Sequence, residues 1–324
     1  MKERVFFIST WAIILILGTI MSGCAPAAAP AGEAPKLRLA VLPVLDTLPM
    51  YVAEEEGLFA RNGLEVELIP VASAPERDQL IAAGQADGMM NEALSTAYIN
   101  REGAGAQVVR YARAASHENA LFSILASKGS TIESIEDLKG VEIGISQGTV
   151  IEYLTDRLLQ AEGFSDAEIA TIAVPKIDER MNLLETGSLS AAMLPEPLTT
   201  LARINGARVI LDDTRHPEYS FSTITFRKPV IDQQPEAVRA FLKAIEQAVE
   251  LINANPEKYE DLMVKKQVVP PPLQGKFKVP KFVTAGVPTE AQWDDMIAWA
   301  LEKGLLEKPV SYASSVSASF LPGK

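Results

Sequence analysis

Thiols and imidazoles are nearly missing: 324 residues contain one cysteine, Cys24, and two histidines, His117 and His216. A lone cysteine excludes an internal disulfide, and three such side chains cannot complete a four-ligand Cys/His metal cluster. Positive charge is also short. Thirty Lys and Arg stand against 42 Asp and Glu, for a formal net charge of −12. That balance argues against binding nucleic acid by phosphate neutralisation. Neither a P-loop string nor an H-E-x-x-H pair occurs. A chain of this length can nonetheless bury one large core or two medium ones without covalent staples.

What is present begins with an address. Lys2 and Arg4 precede an apolar run from Val5 to Met21, the pattern of a secretory signal. Ser22 and Gly23 then lead into Cys24, which resembles the lipobox of bacterial lipoproteins, with Met21 where leucine is usual. The resemblance implies cleavage after residue 23 and acylation of Cys24, so the thiol is an attachment point. Two or more acyl chains hold a protein on a bilayer far better than one. Residues 24–35, rich in Ala, Pro and Gly, read as a flexible tether.

The remaining chain alternates strand and helix signals. "KLRLAVLPV" (36–44) reads as a strand, "MYVAEEEG" (50–57) as a helix stopped by glycine, and 64–70 as a second strand. A helix over 75–83 ends at Gly84, and 86–90 forms a third strand candidate. About a hundred residues later the pattern returns. Glu76-Arg77 precedes Gly84 by the interval at which Glu179-Arg180 precedes Gly187, and each stretch runs on to an acidic residue, Glu92 or Glu196. A repeated βαβ unit accounts for this. Leu121 to Ala126 and Ser222 to Phe226 read as two strands crossing between the halves. From Pro235 the pattern is helical, with Val238, Phe241, Leu242, Ile245, Val249 and Ile252 at three and four residue spacings. Thr289 with Gln292 forms a capping box for a helix that packs on the first half.

These motifs, "GLFARNGLEVELIP", "LIAAGQADGMM", "IEDLKGVEIGISQGT" and "LPEPL", resemble the solute-binding lipoproteins of ABC importers in the nitrate, sulfonate, taurine and thiamine-pyrimidine-precursor group. The riboflavin-binding branch is the nearest expectation within it. The resemblance implies an α/β, two-lobed periplasmic-binding-protein fold (type II), two similar βαβ lobes joined by two crossing strands. Its expected parts are residues 36–120 as the first part of lobe 1, 121–222 as lobe 2, and 223–324 as the return to lobe 1. Ligand then lies between the lobes, at the carboxyl ends of the strands. That places Asp46, Thr47 and Tyr51, then Asn91 and Glu92, at the cleft of the first lobe. In the second it places Ser146, Gln147, Gly148 and Thr149 at a helix start, together with Glu196 before Pro197 and Tyr219.

Asp46, Glu92 and Glu196 make the expected cleft acidic, with Arg77 its one evident cation. An unmatched buried anion is costly there, so such a pocket prefers a neutral or cationic molecule rich in donors; within the family the resemblance then implies riboflavin, and next a thiamine pyrimidine precursor. An alkanesulfonate, taurine or nitrate is the alternative, and a hydrolase using Asp46 and Glu196 a lesser one. The expected protein is a carrier, not an enzyme, and needs no cofactor. It sits on the extracytoplasmic face of the cell membrane through its lipid anchor. A permease and an ATPase are its implied partners.

Overall fold

A computed structural model describes residues 34–323. The expected signal peptide 1–23, the acylation site Cys24 and nearly all of the tether lie outside the described residues. The chain starts with β1 (Lys36–Val41), α1 (Leu48–Glu55), α2 (Leu58–Arg61), β2 (Glu65–Pro70), α3 (Ala74–Ala82), β3 (Gly88–Asn91), α4 (Ala93–Asn100) and β4 (Ala106–Ala114). It continues with β5 (Phe122–Ala126), β6 (Glu142–Ile145), α5 (Val150–Ala161), β7 (Ala170–Ala173), α6 (Ile177–Glu185), β8 (Ala191–Pro195), α7 (Leu198–Ile204) and β9 (Arg208–Asp212). Strand β10 (Phe221–Arg227) precedes α8 (Lys228–Gln233), α9 (Pro235–Ala254), α10 (Glu260–Lys265), α11 (Glu290–Glu302) and α12 (Tyr312–Ser315).

Two five-stranded sheets result, ordered β2-β1-β3-β10-β4 and β7-β6-β8-β5-β9. Each has three parallel strands and an antiparallel fourth. Registers repeat as well: Leu39 pairs with Gly88 and Ala40 with Met89, as Ile143 pairs with Ala191 and Gly144 with Ala192. The internal repeat read from the sequence is therefore a repeat of structure. The predicted apolar stripe of α9 is buried from Val238 to Ile252 in the core of the first lobe.

Two expectations change place. The chain does cross twice between lobes, but Leu121–Ala126 and Ser222–Phe226 lie almost wholly within the sheets rather than between them. β5 is held between β8 and β9, and β10 between β3 and β4, because apolar strands with a neighbour on each side satisfy all their backbone groups in the sheet. The crossings are 115–121 and 213–220. Asp213 clasps them: its carboxylate accepts from the N–H groups of Leu121 and Phe122, both at 3.0 Å, and from the Ser220 hydroxyl.

The tail helix also departs from its expected position on the first lobe alone. Its capping box forms as predicted, yet α11 packs on α4 of one lobe and α5 of the other. Trp293 and Trp299, 0% and 1% exposed, belong to a core drawing on both lobes. Trp299 Nε1 donates to Asp156 of α5 at 2.7 Å, and Asp295 accepts from Tyr153 at 2.8 Å and Arg157 at 3.0 Å. Burying two indoles with their N–H groups matched outweighs packing on a single lobe.

Candidate functional site

The carboxyl ends of β1, β3, β6 and β8 converge on one cavity of about 50 Å³ between the lobes. That is where open α/β sheets place ligands. Asp46, Met90, Asn91 and Glu92 of the first lobe and Ser146, Thr149, Ile177 and Arg180 of the second line it. Most of the wall is apolar, including Leu42, Val44, Leu121, Phe122, Val150, Ile151 and Pro195. The volume admits a few water-sized groups.

Of the residues expected at the ligand, Asp46, Asn91, Glu92, Ser146 and Thr149 reach this cavity. The others do not. Thr47 is fully buried and donates its hydroxyl to Leu42 O at 2.8 Å. Tyr51 belongs to the first-lobe core, with Lys266 Nζ 4.9 Å from its ring centroid. Gln147 and Gly148 form the turn before α5, where φ of +68° suits glycine, and the Gly148 N–H donates to Glu152. Tyr219 packs edge-on against Tyr153. Glu196 opens on a different recess, of about 380 Å³, with Arg113, Arg203, Lys276 and Lys278 around it. Burial raises its pKa, and its carboxylate accepts from Thr200 N–H and Oγ1 at 3.3 and 3.1 Å. A hydrolase built on Asp46 and Glu196 facing one substrate finds no support in this arrangement.

The acidic cleft is the main correction. Asp46 is 3.0 Å from Arg113 Nη1. Glu92 is held by both terminal nitrogens of Arg77, at 3.0 and 2.8 Å, and by the Ser95 hydroxyl at 3.0 Å. Burial alone would push the Glu92 carboxyl up, but Arg77 and Ser95 outweigh it and hold it below the usual range. The reason is general: a carboxylate enters a protein interior only with a matched partner. Asn91 is equally occupied, donating to Glu92 O and Thr96 Oγ1 and accepting from Thr223. Both acids that line the cavity are thus neutralised from within.

Two groups on the cavity wall stand out among the described residues, a hydroxyl without a hydrogen bond and a cation without a carboxylate. Ser146 Oγ, on a residue 3% exposed, has no hydrogen-bond partner among the described residues. Arg180, 1% exposed, donates Nε to Met193 O at 2.8 Å and Nη1 to Val174 O at 2.6 Å. No carboxylate pairs with it among the described residues, and burial lowers its pKa to about 10. The N-terminus of α5, capped by Thr149 Oγ1 on Ile151 N–H at 3.2 Å, abuts the same wall. An unpaired hydroxyl, a cationic group and a helix N-terminus together suit an anion.

Sequence reasoning missed Arg180 as a site residue, although the repeat that aligns it with Arg77 was the signal for it. Ser146 also stands in Gly144-Ile145-Ser146-Gln147-Gly148, the G-x-S-x-G spelling of a nucleophile elbow at a strand-to-helix turn. A nucleophilic serine needs a base in hydrogen-bond reach. Ser146 Oγ has no such contact, and His117 and His216 bond the Thr214 carbonyl at 2.9 Å and Glu162 at 2.8 Å instead. The geometry makes Ser146 a donor to the cavity.

Known proteins share this frame. A family model described as NMT1/THI5 like matches residues 45–259. A Haemophilus influenzae protein assigned provisionally to thiamine biosynthesis is 26% identical over 218 residues, 65% of this chain and 66% of that protein. The chain therefore spans slightly under two thirds of that relative. The nitrate/nitrite binding protein NrtA of Nostoc sp. is 26% identical over 257 residues, 69% of this chain and 58% of its own length. Among solved structures, the alkanesulfonate-binding protein SsuA from Xanthomonas axonopodis pv. citri bound to MOPS superposes with a TM-score of 0.72 at 16% identity, covering 90% of this chain and 99% of that one. The desulfurization enzyme DSZB reaches 0.66 at 14% identity, covering 88% and 97%. At such identities the structural likeness establishes the two-lobed α/β fold alone.

Proposed function

The chain belongs to the NMT1/THI5 like family, and from that premise we propose that it is the solute-binding protein of an ABC importer, holding a small organic anion between its lobes. The single observation carrying the ligand class is Arg180, buried at the cavity wall with no carboxylate paired to it among the described residues. A buried cation without a partner is costly, and a bound anion removes that cost. Riboflavin and a thiamine pyrimidine precursor, expected on the strength of acidic walls, lose that support once Asp46 and Glu92 are paired. The alternative of a sulfonate, taurine or nitrate is better supported, and the names of NrtA and SsuA agree with it. The apolar lining favours an organic anion over nitrate.

In this role the ligand bridges the lobes and the crossings 115–121 and 213–220 flex. The ligand shifts the population toward a closed form by its preference for that form. A permease and ATPase receive the loaded protein. Acylated Cys24 holds it on the outer face of the cell membrane, and radiolabelled palmitate should enter the wild-type protein but not Cys24→Ala. Thermal unfolding across a metabolite panel tests the carrier reading. Ligand at 100-fold over Kd adds about 2.7 kcal/mol of stability, so small organic sulfonates and carboxylates should raise Tm by several degrees. A panel in which no small molecule raises Tm contradicts it.

A further inference from the structure

Arg77 and Arg180 occupy equivalent places in the two repeats. Each donates to the backbone carbonyl of the methionine thirteen residues on, Met90 at 3.5 Å and Met193 at 2.8 Å. Their surroundings then diverge. Asp78 follows Arg77 and takes its Nε at 2.9 Å, and Glu92, two residues past Met90, takes both terminal nitrogens. In the second lobe Met181 follows Arg180, and Pro195 stands two residues past Met193. At both positions the second lobe carries an apolar residue, and the acid that comes next, Glu196, opens on the other recess, so Arg180 stands without either carboxylate. A buried arginine retained without either carboxylate is a liability for stability unless something else supplies the negative charge.

The first lobe shows what would. There a carboxylate is gripped by an arginine and a serine hydroxyl, Arg77 and Ser95. In the second lobe Arg180 and Ser146 border one cavity, the serine oxygen has no partner among the described residues, and the N-terminus of the 12-residue helix α5 lies beside them. We infer that the second lobe is the anion-holding half of the cleft, where a ligand carboxylate or sulfonate takes the place beside Arg180 that Glu92 fills beside Arg77. This rests on the carrier reading and adds to it a division of labour. The second lobe captures the charged head, and the first, neutralised from within, closes over it with apolar surface such as Leu42, Val44 and Met90.

The test uses the full chain and three probes with one tail: pentanesulfonate, pentanoate and the neutral pentanamide. Isothermal titration of wild type should show heat for one or both anions and none for the amide; sulfonate over carboxylate, or the reverse, identifies the head group. Ser146→Ala should weaken the anion about tenfold or more, and Arg180→Gln by about 100-fold. Arg180→Lys should recover part of the loss. Should Arg180→Gln fail to fold, Ser146→Ala and Arg180→Lys still decide, because both retain the core volume closely. Equal binding of amide and anion, or anion binding untouched in all three variants, overturns the inference and leaves the carrier reading standing. Wild type unmoved by every probe overturns it too, whereas the carrier reading falls only if the metabolite panel is silent as well.

Discussion

Glu92 shows how the partners of a side chain limit what it can offer at a cavity. It does reach the cavity, but its two oxygens are consumed by Arg77 and Ser95. Glu92→Gln should therefore act on stability first: Arg77 keeps Asp78 but loses its other carboxylate, which should cost about 1.5–3 kcal/mol, visible as a lowered urea midpoint with unchanged slope. A midpoint equal to wild type contradicts the structural role. The carboxylates and Arg77 were legible in the sequence, and the pairing was not. Arg113, which neutralises Asp46, lies 67 residues away on β4, and nothing local in either segment announces the pair. Arg180 is the opposite case. Its equivalence to Arg77 was readable, but the absence of a carboxylate around it is a property of packing, which a linear pattern does not display.

Element by element, the helices were the most readable part, since apolar spacing and caps are local. α9 buries the stripe its spacing predicts, and the Thr289 capping box opens α11. Where α11 docks was not readable. Its two tryptophans could fill a core in either lobe, and only the partners of their N–H groups, Val310 O and Asp156, fix the position. Because α11 contacts both α4 and α5, it resists separation of the lobes. Trp299→Phe removes an indole donor to a buried carboxylate and should cost about 1.5–3 kcal/mol, measured by chemical denaturation. It should also widen the unliganded particle in small-angle X-ray scattering. Unchanged stability and dimensions would show that α11 does not tie the lobes together.

At the scale of the whole molecule, duplication was legible and polarity was not. The repeat predicted two similar lobes, and the paired registers bear that out. Asp46, Glu92 and Glu196 suggested an acidic cleft, yet acids counted along a chain say little about a pocket in which Asp46 and Glu92 are internally paired. The lobes are joined through Asp213, whose pKa burial raises to about 6 against hydrogen bonds from Ser220, Leu121 and Phe122. An acid with a raised folded pKa binds its proton more tightly folded than unfolded. Its contribution is fully present below the unfolded value of about 3.9 and is lost as pH rises through about 6. Wild type should lose stability relative to Asp213→Asn between those limits, as followed by Tm at stepped pH. A constant difference would remove Asp213 as the titrating group. The most direct measurement for the account is mass spectrometry of the small molecule released when purified protein is denatured. A low-mass organic anion, absent from Arg180→Gln, is the predicted result; a neutral or cationic compound such as a flavin, retained by that variant, would contradict it.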